Sequence, residues 1–244
     1  MLLCKDFTSI LSMNRDARAG LLAALREIYD GSWTRHVGVD GGKTLHWEGK
    51  LGLLAGCTTT IDSHHAVMAT MGQRFVFDRL PEVAEQQARQ ALRNTGREGE
   101  MRRHLAAAVA GLFAQLEVPS VLPELSTPEE ERLVALGALA ARARSAVERD
   151  SMKHEIELIP DAEAPARLAQ ALRRLYGGLL VIGLTPSQAW PHVIQVGLDC
   201  MPKLRRGVFN FLVRDDAMHT TTECAVAVRY PAITARRALV LRHA

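Results

Sequence analysis

Cysteine is scarce and scattered in this chain: Cys4, Cys57, Cys200 and Cys224 are the only four in 244 residues, and none form a C-x-x-C pair. That spacing supports neither a disulfide framework nor a zinc site. No apolar run approaches the roughly 18 residues a membrane span needs. The opening residues pass from a few apolar positions to Lys5 and Asp6, too short a stretch for a secretion signal. The expectation is a soluble, cytoplasmic protein. A large excess of one charge is also lacking, because 30 Lys and Arg against 27 Asp and Glu leave +3 at pH 7. That balance permits a nucleic-acid partner without arguing for one. With 48% hydrophobic and 23% charged residues, the chain can bury one good core or two small ones, and two units fit better.

What is present is an alternation of short apolar strands with helical periodicity in the first third. Residues 2–4 read as a strand, and 15–29 as a helix, with Ala17, Leu21, Leu22, Leu25 and Ile28 on one face before an Asp30-Gly31 stop. Residues 33–47 read as a hairpin whose turn is Gly38-Val39-Asp40-Gly41-Gly42, with Trp33 and Trp47 placed to pair across the strands. Residues 51–57 form a continuous apolar run of the kind buried on both faces. A short helix at 63–70 and a strand at 75–80, closed by Pro81, complete a parallel α/β pattern.

After Pro81 the strand signal nearly vanishes. Helices are expected at 82–93, 100–116 and 128–149, the last entered through Ser126-Thr127-Pro128-Glu129-Glu130, where a cap residue, an N1 proline and first-turn acids coincide. A short strand at 155–159 precedes a helix at 162–178 that Gly177-Gly178 would end. Prolines gather at 118–128. Helices at 186–199, 203–213, 220–228 and 235–241 follow, and the final pair with its short connection makes a helix-turn-helix. Its second helix carries Arg236 and Arg237, with Arg242 beyond.

Three strand ends carry candidate chemistry. Asp6 closes the first strand, where a carboxylate can hold Mg²⁺ against phosphates. Thr58 closes the 51–57 strand and can orient water or a γ-phosphate; Arg74 precedes the 75–80 strand and can supply charge to a neighbouring subunit's nucleotide. Singly, each has a plain alternative as an ordinary strand-end or turn residue. The order of the three is more specific than any member. His64-His65 beside Asp62 points away from a metal site, since adjacent histidines diverge on helix or strand.

In that order, residues 2–80 resemble the second half of a helicase-like AAA+ ATPase module of the kind carried by phages and mobile elements. The resemblance implies a partial P-loop NTPase sheet with a β-hairpin insertion, and Asp6 as the Walker B acid holding Mg²⁺. It implies Thr58 as sensor 1, and Gly72-Gln73-Arg74-Phe75 as the arginine-finger box. Arg167 is a weaker match to sensor 2 of the lid, and Arg35 and Lys43 of the hairpin would face DNA; a solvated hairpin face is the alternative. Residues 186–244 resemble a winged-helix domain, so DNA contacts fall to Arg236, Arg237 and Arg242. The implied units are 1–81, a partial ATPase core; 82–185, a helical linker and lid-like region; and 186–244. ATP and Mg²⁺ are the implied ligands, with a ring assembly for the intact relative.

The chain also departs from that pattern. It contains no G-x-x-x-x-G-K-[ST], the cradle for β- and γ-phosphates. Gly42-Lys43-Thr44 does not replace it, since Val37 stands five residues before Gly42 and a hairpin turn explains the glycines. Phe7 stands where many relatives have a catalytic glutamate, and no residues follow the last helix to form a wing. The expectation is therefore a truncated piece that does not hydrolyse ATP alone. The alternatives are a non-catalytic helix-turn-helix DNA-binding protein and a decayed reading frame without function.

Overall fold

The strand and helix periodicities of the first third fold into one parallel strand pair, one hairpin and the helices beneath them. A computed structural model describes residues 1–38, 42–64, 67, 68, 71, 72, 74–81, 84–145, 148, 149, 156–158 and 161–239. The chain is mixed α/β and mostly helical. β1 (Leu2–Cys4) pairs in parallel with β4 (Leu53–Ala55), Leu3 opposite Leu54. Between them come α1 (Thr8–Leu11), α2 (Arg15–Asp30) and the antiparallel hairpin of β2 (Ser32–Val37) and β3 (Lys43–Glu48). α2 starts where the Asn14 side chain accepts the Ala17 N–H, and stops at Gly31, whose φ of 108° is the left-handed conformation glycine adopts without strain.

The hairpin forms as its alternation demands, with Trp33 opposite Trp47; Val39, Asp40 and Gly41 of its turn lie outside the described residues. The expected β4 strand is shorter than 51–57 and is not buried on both faces. Leu54 is 63% exposed and Leu3 62%. Two strands alone cannot cover themselves, so the local core lies beyond their ends, where Phe7, Leu11, Leu22, Ile61, Met68 and Met71 meet. A 3-10 helix at Thr59–His64 supplies Ile61 to it. The helix expected at 63–70 lies partly outside the described residues.

Residues 75–80 pair with no strand among the described residues, against the sequence expectation. Their side chains still alternate, with Phe75, Phe77 and Arg79 turned inward and Val76, Asp78 and Leu80 outward. The backbone groups that a ladder would satisfy go to side chains instead. The Phe75 carbonyl accepts from Arg144 at 3.3 Å, and the Arg79 N–H donates to Asp199 Oδ2 at 2.9 Å.

Beyond Pro81 the helices follow the expected order: α3 (Ala84–Arg93), α4 (Glu98–Gln115), α5 (Thr127–Arg144), α6 (Ala166–Val181), α7 (Pro186–Asp199), α8 (Lys203–Leu212), α9 (Thr221–Val228) and α10 (Ala232–Leu239). A small strand pair, β5 (Glu148–Arg149) and β6 (Ile156–Leu158), lies between α5 and α6. α5, α7 and α9 each begin with a capping box: Glu129 accepts the Ser126 N–H at 2.8 Å, Gln188 the Thr185 N–H at 2.9 Å, and Glu223 the Thr220 N–H at 2.7 Å.

Several helix bounds differ from the sequence reading, among them the starts of α6, expected at 162, and of α10, expected at 235; two C-terminal ends have identifiable causes. α5 stops at Arg144 rather than running to 149, because Arg205 of α8 donates to the carbonyls of Ala143 and Ser145 at 2.7 and 2.6 Å. α6 runs past Gly177-Gly178 to Val181. Gly177 is a packing glycine there: a Cβ on it would lie 2.9 Å from Leu122 Cδ2.

α5, α6 and α7 share one core, in which Leu133, Ala140, Leu168, Leu172, Tyr176, Ala189 and Val193 are buried. α8, α9 and α10 close over Val208, Phe211, Cys224 and Ala238. α3 and α4 join neither. No residue of α4 is buried, and Leu105 and Phe113 are 67% and 64% exposed. The chain exposes 16,906 Å², whereas a compact monomer of its mass exposes about 10,800 Å². No helix among the described residues is long and apolar enough to cross a membrane.

Candidate functional site

Parallel pairing of β1 with β4 carries both segments out at the same edge, and there the two strand-end polar residues meet. The Phe7 N–H donates to the Gly56 carbonyl at 2.7 Å, extending the register past the strands. Asp6 then turns the chain into α1, its Oδ1 accepting the Thr8 N–H at 2.9 Å and its carbonyl accepting from Ser9 Oγ at 2.8 Å. Thr8 closes the site: its Oγ1 accepts the Thr58 N–H at 3.2 Å and lies 3.3 Å from Thr58 Oγ1. Asp6 and Thr58, about fifty residues apart in sequence, thus flank one threonine. Sequence reading did not single out Thr8; its position two residues after the acid was the only available signal.

Arg74 and Arg167 belong to a second cluster. Arg74 forks onto Asp30 at the end of α2, through Nη2 to Oδ2 at 2.6 Å and Nε to Oδ1 at 3.3 Å, and also donates to the Met71 carbonyl at 3.2 Å. Its guanidinium lies 5.9 Å from the centre of the Tyr29 ring. A carboxylate at a helix C-terminus faces the negative end of the macrodipole, and the arginine compensates. The Arg74 hydrogen bond, with Arg167 and Arg26 nearby, holds the Asp30 carboxyl below the usual carboxylate range against the opposing effect of burial. Arg167 itself pairs with Glu163 at 3.1 Å. Gly72, at φ 65°, passes under this cluster, where a Cβ would lie 3.1 Å from Glu163 Oε1 and 3.2 Å from Arg74 Nη1. Gln73 lies outside the described residues.

A third ion network, partly buried, was missed altogether by sequence reading. Arg79 grips both oxygens of Asp62 at 2.7 and 2.8 Å, while its Nε and Nη2 donate to the carbonyls of Asp199 and Met201 at 3.1 Å each. Asp199, fully buried at the end of α7, also pairs with Arg206. Burial and repulsion from Arg79 pull the Arg206 guanidinium down. Arg144, also buried, lies over Phe77 at 5.5 Å, and burial lowers its pKa.

The hairpin sorts its residues by face. Cross-strand partners share a side and successive residues alternate, so Trp33, Arg35 and Val37 stand with Lys43, Leu45 and Trp47. Arg35 and Lys43 are both exposed. The opposite face is a hydrogen-bonded ladder of Thr34 with His46 and His36 with Thr44, both at 2.9 Å, extended by His46 to Glu48 at 3.0 Å.

At the other end of the chain, α9 and α10 are joined by Arg229, Tyr230 and Pro231, with Arg229 at φ 57° in the left-handed region. Arg236 and Arg237 are exposed on α10, and Arg242 lies outside the described residues. Arg237 lines a groove with Lys203, Arg205, Tyr230, Thr234 and Thr59. Among the described residues no group of three or more His, Cys, Asp or Glu side chains is arranged to hold a metal ion. Asp6 presents a single exposed carboxylate at the strand edge, its Oδ2 entering no hydrogen bond among the described residues. No family model matches this chain, and neither a curated protein nor a solved structure matches it.

Proposed function

We propose that these residues carry the metal-holding and water-sensing half of a nucleotide site in a helicase-like AAA+ ATPase that acts on DNA. One observation carries the reading: β1 and β4 lie side by side and parallel, and Asp6 and Thr58 leave the same edge bridged by Thr8. In open parallel sheets, ligands bind outside the carboxyl ends of the strands. Asp6 would hold Mg²⁺, and Thr58 would orient water. A bound ATP would supply the transferable phosphoryl group. The sequence contains no G-x-x-x-x-G-K-[ST] cradle for the β- and γ-phosphates, so we expect no hydrolysis from it alone. Arg74 would act as a finger toward a neighbouring subunit only after leaving Asp30, and Arg167, beside the same acid, would answer to the nucleotide from the lid.

Manganese, standing in for magnesium, tests the half-site directly. Added at millimolar concentration, it should broaden the amide resonances of Thr8 and Thr58 first, and Asp6→Asn should abolish the effect. Broadening that starts elsewhere, or survives Asp6→Asn, overturns the assignment. Saturable ATP binding in the micromolar range typical of working enzymes would contradict the absence of a cradle.

A second reading, a non-catalytic helix-turn-helix DNA-binding module, is favoured by the separate core of α8–α10 and the exposed Arg236 and Arg237 on its last helix. In that case Arg236→Ala with Arg237→Ala should weaken DNA binding and flatten its salt dependence, while manganese should leave Thr8 and Thr58 unaffected.

A further inference from the structure

We infer that the groove between the 3-10 helix and helices α8 and α10 is a seat for one phosphorylated nucleotide of a single-stranded nucleic acid. The groove encloses about 480 Å³, inside the range of about 300–1,000 Å³ that holds ligands of this size. Its described lining includes neither Asp6, Thr8 nor Thr58, although its wall begins at Thr59.

The lining chooses the ligand. Among the described lining residues, Lys203, Arg205 and Arg237 bring three positive charges and Asp62 one negative charge. That carboxylate is already engaged, by the Arg79 fork at 2.7 and 2.8 Å and by the Lys203 backbone N–H at 3.2 Å. A cationic ligand would therefore meet net positive charge, and an anionic one is favoured. Hydroxyls on Thr59 and Thr234 add donors suited to phosphate oxygens. Tyr230, 43% exposed at the groove, adds an aromatic face on which a base can stack. Cations that track a backbone beside an aromatic platform are the parts of a sequence-tolerant single-strand site.

The parts are also held in place before any ligand arrives. Arg205 is anchored on the carbonyls of Ala143 and Ser145. The Tyr230 backbone is fixed by its own N–H donating to the Ala225 carbonyl at 3.1 Å, across the turn that Arg229 makes in the left-handed conformation. Thr234 and Arg237 stand one helical turn apart on α10, which places them on the same side. Preorganisation of this kind lowers the ordering cost of binding.

The seat rests on the reading of the protein as a nucleic-acid partner, and the two fail differently. The full chain is titrated against fluorescein-labelled dT12 by anisotropy over a range of salt concentrations, with ADP and pyrophosphate as competitors. Lys203→Ala with Arg237→Ala removes two exposed cations and should weaken dT12 binding about ten-fold or more. It should also reduce the slope of log K against log salt by about 1.4, or about 0.7 for each single-strand phosphate that is no longer neutralised. Tyr230→Leu should weaken binding about ten-fold and leave the slope unchanged. Lys203→Arg with Arg237→Lys should restore both affinity and slope.

Affinity and slope unchanged in the double alanine variant, with binding abolished instead in Arg35→Ala plus Lys43→Ala, overturn the groove and keep the nucleic-acid reading on the hairpin. No dT12 binding by the unsubstituted chain overturns both. ADP or pyrophosphate that displaces dT12 at equal or lower concentration assigns the groove to a free nucleotide and overturns the strand.

Discussion

Arg79 and Asp199, 120 residues apart in sequence, meet in the interior through two hydrogen bonds, from the Arg79 backbone N–H to the carboxylate and from its Nε to the Asp199 carbonyl. Asp199 is fully buried, and the guanidinium that pairs with its carboxylate is that of Arg206. This pairing ties the segment after the 3-10 helix to the end of α7, and through Asp62 it also anchors the 3-10 helix itself.

Breaking that pairing should be costly. Arg79→Ala keeps the backbone N–H on Asp199 but strips the partly buried Asp62 carboxylate of its fork and the carbonyls of Asp199 and Met201 of their donor, and losses of this kind cost about 1–3 kcal/mol. Urea unfolding of Arg79→Ala should show a shift of that size. Arg89→Ala, which breaks an exposed pair with Glu85 at 2.6 Å, should change stability by less than about 0.5 kcal/mol. Equal effects in the two variants would remove the network from the account of stability.

Two helical glycines should respond to alanine in opposite directions. A Cβ on Gly197 of α7 would lie 2.7 Å from Leu136 Cγ and Cδ2 and 2.8 Å from its Cδ1, whereas a Cβ on Gly111 of α4 would meet nothing within 4 Å. Gly197→Ala should destabilise by about 1–3 kcal/mol through overpacking, and adding Leu136→Ala should recover part of that stability. Gly111→Ala should stabilise α4 by roughly 0.5–1 kcal/mol, seen as increased helical circular dichroism.

Tyr176 and Glu129 should give the chain a recognisable alkaline limb. Burial, with the Glu129 hydrogen bond and charge, pushes the Tyr176 hydroxyl up to about 12. A raised tyrosine pKa keeps the proton on the folded form, so its contribution is complete below the unfolded value near 10 and is lost as pH rises toward 12. Stability should fall across that window, and Tyr176→Phe should flatten the fall while costing about 1–2 kcal/mol at neutral pH. Glu129 behaves oppositely. The Tyr176 and Ser126 hydrogen bonds hold its carboxyl down, so that contribution is present above the unfolded value near 4.3 and disappears as acid protonates the folded form.

Helices α3 and α4 should open before the rest. Neither helix shows a buried residue among its described side chains, and most helical stability in proteins comes from the packing of an apolar face, which both lack. Amide exchange in α4 should outpace that in α6 and α7 by on the order of 100-fold or more. Protection of α4 equal to that of α6 would show that its exposed stripe at Leu105, Val109, Leu112 and Phe113 is covered in solution.

Sequence alone determined the elements whose cause is local. Trp33 and Trp47 set the hairpin register, because alternation over two strands and a glycine turn leaves few ways to pair them. Ser126, Thr185 and Thr220 set helix starts, because a cap acts on backbone groups three residues away. The strand ends at Asp6 and Thr58 were legible as positions, but only parallel pairing decided that they share an edge, and only folding placed Thr8 between them. Residues 75–80 carry a strand's alternation, and a ladder was expected; no neighbouring strand exists among the described residues, so helices and charged side chains claim the inward face. Tertiary structure likewise decided that Arg74 faces Asp30, that Arg79 joins Asp62 to Asp199, and that Lys203 and Arg237 line one groove. Charge pairing in a buried setting depends on which segments meet, and no local pattern of residues encodes a meeting across 120 positions.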